Sequence, residues 1–291
     1  MISSTKHGLA AGEGGRPASA DWTVDQEWSR YSPAEHAVWK TLYERQALLL
    51  PGRACDAFLQ GMQALPIGAE RIPDFRHLSE VLMQHTGWQV VAVPGLVPDE
   101  VFFGHLANRR FPAGRFIRGI EQLDYLEEPD VFHDIFGHIP MLMNPVMADF
   151  IQAYGLGGLR ALELGVLPQL ARVYWYTVEF GLVQQSDGLR IYGSGIASSY
   201  AESLFALDDA SPNRIRFALE RVMRSRYRID DFQEVYFVLD SLDELLALAS
   251  TDFDPVYQRI KGQIECDPGD LLASDAVLSR GTGQYHRGRR L

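Results

Sequence analysis

Glu127-Glu128-Pro129-Asp130-Val131-Phe132-His133-Asp134-Ile135-Phe136-Gly137-His138-Ile139-Pro140 is the stretch on which the reading of this chain turns. Two histidines stand five apart in an apolar run, and an acid follows the first. A buried imidazole needs a polar partner, and imidazole is also the commonest metal ligand. The segment reads as a helix opening near Pro129 that cannot run cleanly through Pro140. On an ideal α-helix a spacing of five leaves two side chains roughly 140° apart. A single ion can then be shared only at an irregular helix end, for which Gly137 and Pro140 give scope. Two core histidines with ordinary hydrogen bonds would satisfy the same pattern.

A helix over residues 168–183 offers a third ligand. Ala171, Tyr174, Trp175, Val178, Glu179 and Leu182 recur at three- and four-residue steps and form one face. That face is apolar and aromatic except for Glu179. A bare carboxylate there is strongly disfavoured, so Glu179 requires an arginine, an outlet to solvent, or a metal. Two histidines and one carboxylate are the set that holds non-haem Fe(II) on one face and leaves the others open. Zinc competes, since the same donors build hydrolytic sites. Asp134 could then act as general base, although the chain has no His-Glu-x-x-His.

Outward from these two segments the chain is mostly helix with a few short strands. Ser32-Pro33-Ala34-Glu35 is a capping box opening a helix to about residue 50. Helices follow over about 55–64 and 74–86, with Gly87 as a stop. A β-branched strand covers 88–93, a helix runs over about 98–108, and 115–118 is a strand candidate. Past the histidines, helices are expected over 145–154, 168–183, 200–207 and 212–226, the last with arginines on its outer face. Residues 189–199 form a strand and loop, 235–239 a strand and 242–249 a helix. No strand–helix alternation points to a doubly wound sheet. Residues 1–20 read as a disordered leader, 21–266 as one domain, and 267–291 as a weakly structured tail.

Composition bounds the function classes. The chain has 291 residues, is 46% hydrophobic and carries a formal net charge of −11. That suits a sizeable core and argues against a nucleic-acid partner, which would want a basic face. The arginines of residues 287–290 read as a solvated tail. Two cysteines, Cys55 and Cys266, form no disulfide framework, which favours the reducing cytoplasm. The first 20 residues lack the apolar core of a signal peptide, and no run is long enough to span a membrane.

Three motifs occur in order: Glu128-Pro129-Asp130 with His133-Asp134-x-x-Gly137-His138; Tyr174-Trp175-Tyr176-Thr177-Val178-Glu179-Phe180-Gly181-Leu182; and Tyr192-Gly193-Ser194-Gly195 with Ser198-Ser199. Together they resemble the aromatic amino acid hydroxylases, and most of all the single-domain bacterial phenylalanine 4-hydroxylases, over about residues 21–264. The resemblance implies a single catalytic domain that uses Fe(II), O2 and a tetrahydropterin to convert L-phenylalanine to L-tyrosine. His133, His138 and Glu179 match the family's iron ligands. Gly95, Leu96, Val97, Phe102, Ala171 and Tyr174 match its pterin surroundings. Asp134 matches a residue that contacts the pterin through water, usually Glu and here one methylene shorter.

The resemblance also implies that Arg118, oriented by Asp130, takes the substrate carboxylate. A bidentate fork suits that task. Trp175 and Phe180 would wall the ring pocket, Gly195 would leave it room, and Ser198 would hydrogen-bond the first histidine. Trp175 matches a position that tryptophan hydroxylases fill with Phe, and Ile229 one where tyrosine hydroxylases carry an acid, so both favour phenylalanine. The regulatory domain and tetramerisation helix of animal members have no counterpart, and residues after 267 carry no heptads, which implies a monomer. Alternatives from the same residues are a tryptophan or tyrosine hydroxylase, a zinc hydrolase, and a non-catalytic helical binding protein.

Overall fold

The computed structural model describes residues 19–124 and 128–288. The expected leader, apart from its last two residues, and Glu127, Arg289 and Arg290 lie outside the described residues. Three helices open the fold: α1 (Pro33–Leu49), α2 (Asp56–Ala64) and α3 (Phe75–His85). The capping box is present. Ser32 Oγ accepts from Glu35 N at 3.2 Å, and the Glu35 carboxylate accepts from Ser32 N at 2.7 Å. Val38, Trp39, Leu42 and Gln46 form the buried face of α1.

Strand β1 (Gln89–Val93), helix α4 (Asp99–Ala107) and strand β2 (Arg110–Gly114) make a parallel two-stranded unit. Here the sequence reading is corrected, because the strand lies at 110–114 rather than at 115–118. Pro112 can sit in β2 because β2 is an edge strand that pairs with β1 along one side only. Residues 115–118 run instead toward the histidine segment, with Val131 N donating to Phe116 O at 2.8 Å.

Helix α5 (Pro145–Leu164) outruns the expected 145–154 by nearly three turns and stops at Gly165 in the left-handed conformation. Gly155 and Gly158, inside this helix, serve close packing. A Cβ on Gly155 would meet Ala107 N at 2.3 Å, and one on Gly158 would meet the Phe103 ring at 2.0 Å. Their bare backbone lets α4 lie against α5. Helix α6 (Leu167–Tyr174) passes into a π-helical turn at Trp175–Glu179 and ends there, so the expected helix to 183 is too long. The chain turns at Phe180-Gly181 into strand β3.

A five-stranded mixed sheet follows. Its strands are β3 (Leu182–Gln185), β4 (Gly188–Ile191), β5 (Asn213–Arg216), β6 (Val235–Leu239) and β7 (Val277–Ser279), in the order β4-β3-β6-β5-β7. Short helices α7 (Ser194–Ala197), α8 (Tyr200–Asp208), α9 (Leu219–Met223), α10 (Glu244–Ala249), α11 (Asp254–Ile260) and α12 (Gln284–Arg287) complete the order. The helix expected over 212–226 is therefore β5 followed by the five-residue α9. Two of its arginines point inward: Arg214 Nε donates to Ala206 O at 2.8 Å, and Arg221 Nε pairs with Asp275 at 3.0 Å, whereas Arg216 and Arg226 are exposed. Arginine at regular spacing resembles a solvated helix face, and only the buried acceptors reveal the strand. The tail departs from expectation too, since β7 pairs antiparallel with β5.

Candidate metal centre

The histidine segment is a π-helical turn, His133–His138, rather than an α-helix. In a π-turn the hydrogen bonds run i to i+5, so residues five apart come round to the same side. The spacing that counts against a shared ion on an α-helix thus favours one here. His133 Nε2 and His138 Nε2 lie 3.1 Å apart. The second π-turn, closed by Phe180 N donating to Trp175 O at 2.8 Å, carries Glu179 to the same point. Its Oε1 is 3.3 Å from His138 Nε2 and its Oε2 is 3.6 Å from His133 Nε2.

These separations fit one ion. For bonds of about 2.1 Å, donors at a right angle lie about 3.0 Å apart and tetrahedral donors about 3.4 Å. Protonation fits as well. Ser198 Oγ donates to Ser194 O at 2.8 Å, so it accepts from His133 Nδ1 at 2.9 Å. The His133 proton is thereby fixed on Nδ1, and Nε2 presents a lone pair to the site. Burial, reinforced by His138 and opposed by the charge of Glu179, depresses the His133 pKa to about 4 and keeps the ring neutral. Burial pushes Glu179 toward protonation, but the adjacent His138, which also hydrogen-bonds it, outweighs burial and holds the carboxyl below the usual range. The His138 ring lies between Phe111 and Tyr174, with centroids at 4.9 and 6.3 Å.

Asp134 is a second acid near the histidines. Its Oδ2 is turned to Gly114 N at 2.7 Å, whereas both oxygens of Glu179 face the two imidazole nitrogens. Of the two acids, Glu179 is therefore the one whose two oxygens are placed to complete a candidate donor set. Burial, partly offset by His138 and by the bond from Gly114, raises the Asp134 carboxyl to about 7.

Two clefts meet at the triad, and His133 and Glu179 border both. The smaller, of about 50 Å³, is lined by Gly95, Leu96, Val97, Phe102, Asp134 and Tyr174 among others. Ala171 is not in that wall; it is buried in the core. The larger, of about 490 Å³, is lined by Arg118, Trp175, Phe180, Gly195 and Ser198 among others. Asp130 sits behind Arg118, fully buried. Its carboxylate accepts from Arg118 Nε at 2.8 Å, from Nη2 at 2.9 Å and from the backbone N at 3.0 Å. The same carboxylate accepts from His133 N at 3.0 Å, so one acid ties the arginine to the start of the π-turn.

Glycine admits these close approaches. A Cβ on Gly195 would lie 3.0 Å from Phe180 Cζ and 3.1 Å from Glu179 Oε2. The sequence reading missed Gln233, Glu202, Ser194 and Tyr285. Trp175 Nε1 donates to Gln233 Oε1 at 2.9 Å. Gln233 N in turn donates to Glu202 Oε1 at 3.4 Å, and Tyr236 OH donates to the same oxygen. Ser194 Oγ lies 3.0 Å from Glu179 Oε2. Ser194 stands in the quoted Tyr192-Gly193-Ser194-Gly195 motif, but nothing in the sequence marks the other three.

Two histidines and a glutamate, set by a largely helical domain at the junction of two clefts, are arranged as a candidate mononuclear metal centre of the non-haem type. The family model of biopterin-dependent aromatic amino acid hydroxylases matches residues 25–253, and the chain belongs to that family. The phenylalanine-4-hydroxylase of Caulobacter vibrioides is 61% identical over 272 residues, which cover 94% of this chain and 92% of the relative. The phenylalanine hydroxylase of Chromobacterium violaceum with bound oxidised Fe(III) matches at a TM-score of 0.88 and 56% identity, covering 90% of this chain and 96% of that one. Its iron- and phenylalanine-bound form gives 0.86 and 54%, with 90% and 96% covered.

Proposed function

We propose that this chain is a tetrahydropterin-dependent phenylalanine 4-monooxygenase, with Fe(II) held by His133, His138 and Glu179. The observation that carries this reading is the triad of donor atoms, 3.1 to 3.6 Å apart, at the meeting of two clefts. The larger cleft has a guanidinium on one wall and aromatic rings on another. Iron and the reduced pterin, when bound, supply the activation of O2 by which one oxygen atom enters the aromatic ring.

The residues of this chain position the substrates. Arg118 takes the amino acid carboxylate with the donors that Asp130 leaves over. Because Asp130 fills the Nε–Nη2 edge, the guanidinium is held in one orientation. Trp175 and Phe180, with ring centroids 4.7 Å apart, hold the substrate ring toward the triad, and Gly195 leaves space for it. Ser198 fixes the His133 tautomer, which metal sites commonly require. The pterin lies in the smaller cleft along Gly95, Leu96 and Val97 and against Phe102 and Tyr174, and Asp134 reaches it through water. The apolar walls keep bulk water from the reacting atoms. Ile229 at the mouth of the larger cleft favours an uncharged, unhydroxylated ring.

We further propose a cytoplasmic monomer with a catalytic domain over residues 21–266. Cys55 and Cys266 are both buried and free, which suits a reducing compartment. Among the described residues no helix is long and apolar enough to cross a membrane. The test of function is to mix anaerobic, Fe(II)-loaded protein with tetrahydropterin and equal concentrations of isotope-labelled phenylalanine and unlabelled tyrosine and tryptophan, then admit O2 and follow labelled tyrosine as the product of phenylalanine. Tyrosine formed from phenylalanine in preference to the other two products is expected. No labelled tyrosine from folded, iron-loaded protein, or turnover with zinc and without O2, overturns the reading.

A further inference from the structure

We infer that Tyr285, in the tail beyond the matched family region, is a positioning residue that sets the aromatic wall of the substrate cleft. This rests on the proposal that phenylalanine occupies that cleft. Tyr285 borders the cleft itself, and its hydroxyl donates to Asp231 Oδ1 at 3.0 Å. His286, which is buried, bonds Phe232 O through Nε2 at 2.8 Å. The Phe232, Phe205 and Tyr285 rings pack in a triangle, with centroids 4.5 Å (Phe205–Phe232), 5.2 Å (Phe232–Tyr285) and 5.1 Å (Phe205–Tyr285) apart. The tail thus grips residues 231 and 232 from two consecutive positions. The next residue is Gln233, whose Oε1 holds the Trp175 indole. The Trp175 ring stacks on Tyr227 at 4.3 Å and 17°.

The tail is anchored independently of the cleft. Strand β7 pairs with β5, Gly283 N donates to Ser211 O at 2.9 Å, and Tyr285 N donates to Ser211 Oγ at 3.0 Å. A Cβ on Gly281 would meet Ser211 O at 2.2 Å, so the backbones are in direct contact. The physical chain therefore runs from a fixed tail to residues 231–233, then to Gln233 and the Trp175 ring. Wall placement decides how well a ring is held, so the effect falls on phenylalanine and on the choice between aromatic amino acids. It does not fall on iron or pterin, which the other face of the triad serves.

The test uses the full-length, iron-loaded chain. Tyr285→Phe keeps the ring packing and removes one hydrogen bond. We expect the phenylalanine Kd, measured anaerobically, and the KM to rise roughly 3- to 10-fold. Tyr285→Ala should raise them further and reduce the preference for phenylalanine over tryptophan. Iron content and pterin KM should stay within about twofold. Gln233→Leu should show the same signature, and the Tyr285→Phe/Gln233→Leu double variant should be no worse than Gln233→Leu alone, because both act on one chain of contacts. Unchanged phenylalanine Kd in Tyr285→Phe, additive effects in the double variant, or a parallel loss of iron and pterin affinity would overturn the inference. Wild-type protein that forms no tyrosine would instead count against the function itself.

Discussion

His133 Nδ1 meets Ser198 Oγ at 2.9 Å, and the Ser198 proton is committed to Ser194 O. One hydroxyl therefore determines which imidazole nitrogen presents a lone pair to the proposed metal site. Ser198→Ala removes the acceptor and frees the ring to rotate or change tautomer. Outer partners of this kind are worth roughly 10- to 100-fold in metal affinity or activity. Iron affinity by competition with a chelator should fall within that range while the thermal midpoint barely moves.

The Arg118–Asp130 pair is buried, and removing one partner strands the other. Asp130→Ala should destabilise the fold by about 3–5 kcal/mol, read as a shift in the urea midpoint. Arg118→Lys keeps the charge but loses the fork. It should raise the phenylalanine KM with little effect on the pterin KM.

Gly137 has no room for a side chain. A Cβ there would lie 2.8 Å from Ser194 O and 3.2 Å from Ser194 Cβ. Gly137→Ala must push the π-turn away from the residue that touches both Glu179 and Ser198. Overpacking of this kind costs about 1–3 kcal/mol. Because the displaced groups surround the triad, bound iron measured by metal analysis should drop along with stability.

The pH dependence of stability should report Glu202. Burial, opposed by bonds from Tyr236 and Gln233, raises its carboxyl from 4.5 to about 7. The folded state thus binds a proton that the unfolded state has released. Its stabilising contribution is complete below pH 4.5 and is lost progressively as pH rises to about 7, amounting to about 3 kcal/mol. Urea midpoints of wild type should fall across that window by more than those of Glu202→Gln, in which the trend is flattened.

Much of the site was legible because its chemistry is costly. A glutamate on an aromatic helix face and two histidines in an apolar run each demand a partner, and here they meet one another. The capping box at Ser32 and the β-branched run before Pro94 are local signals, and the structure keeps both. What stayed hidden was set by tertiary contact. Nothing local announces a π-turn, so the five-residue spacing argued against the geometry it serves. Gly155 and Gly158 resemble helix stops until Phe103 and Ala107 are known to press against them. Arg214 and Arg221 resemble a solvated face until their buried acceptors appear. Gln233 and Tyr285 border the cleft from parts of the chain far from the quoted motifs, which no periodicity records.

The most direct test of the central claim is the origin of the oxygen in the product. Fe(II)-loaded protein, tetrahydropterin and phenylalanine should be reacted under 18O2 in ordinary water and the tyrosine examined by mass spectrometry. The account predicts one 18O atom in each tyrosine, with label lost in step with iron in Glu179→Ala. Tyrosine carrying oxygen from water, or formed at an undiminished rate after iron is removed, would contradict it.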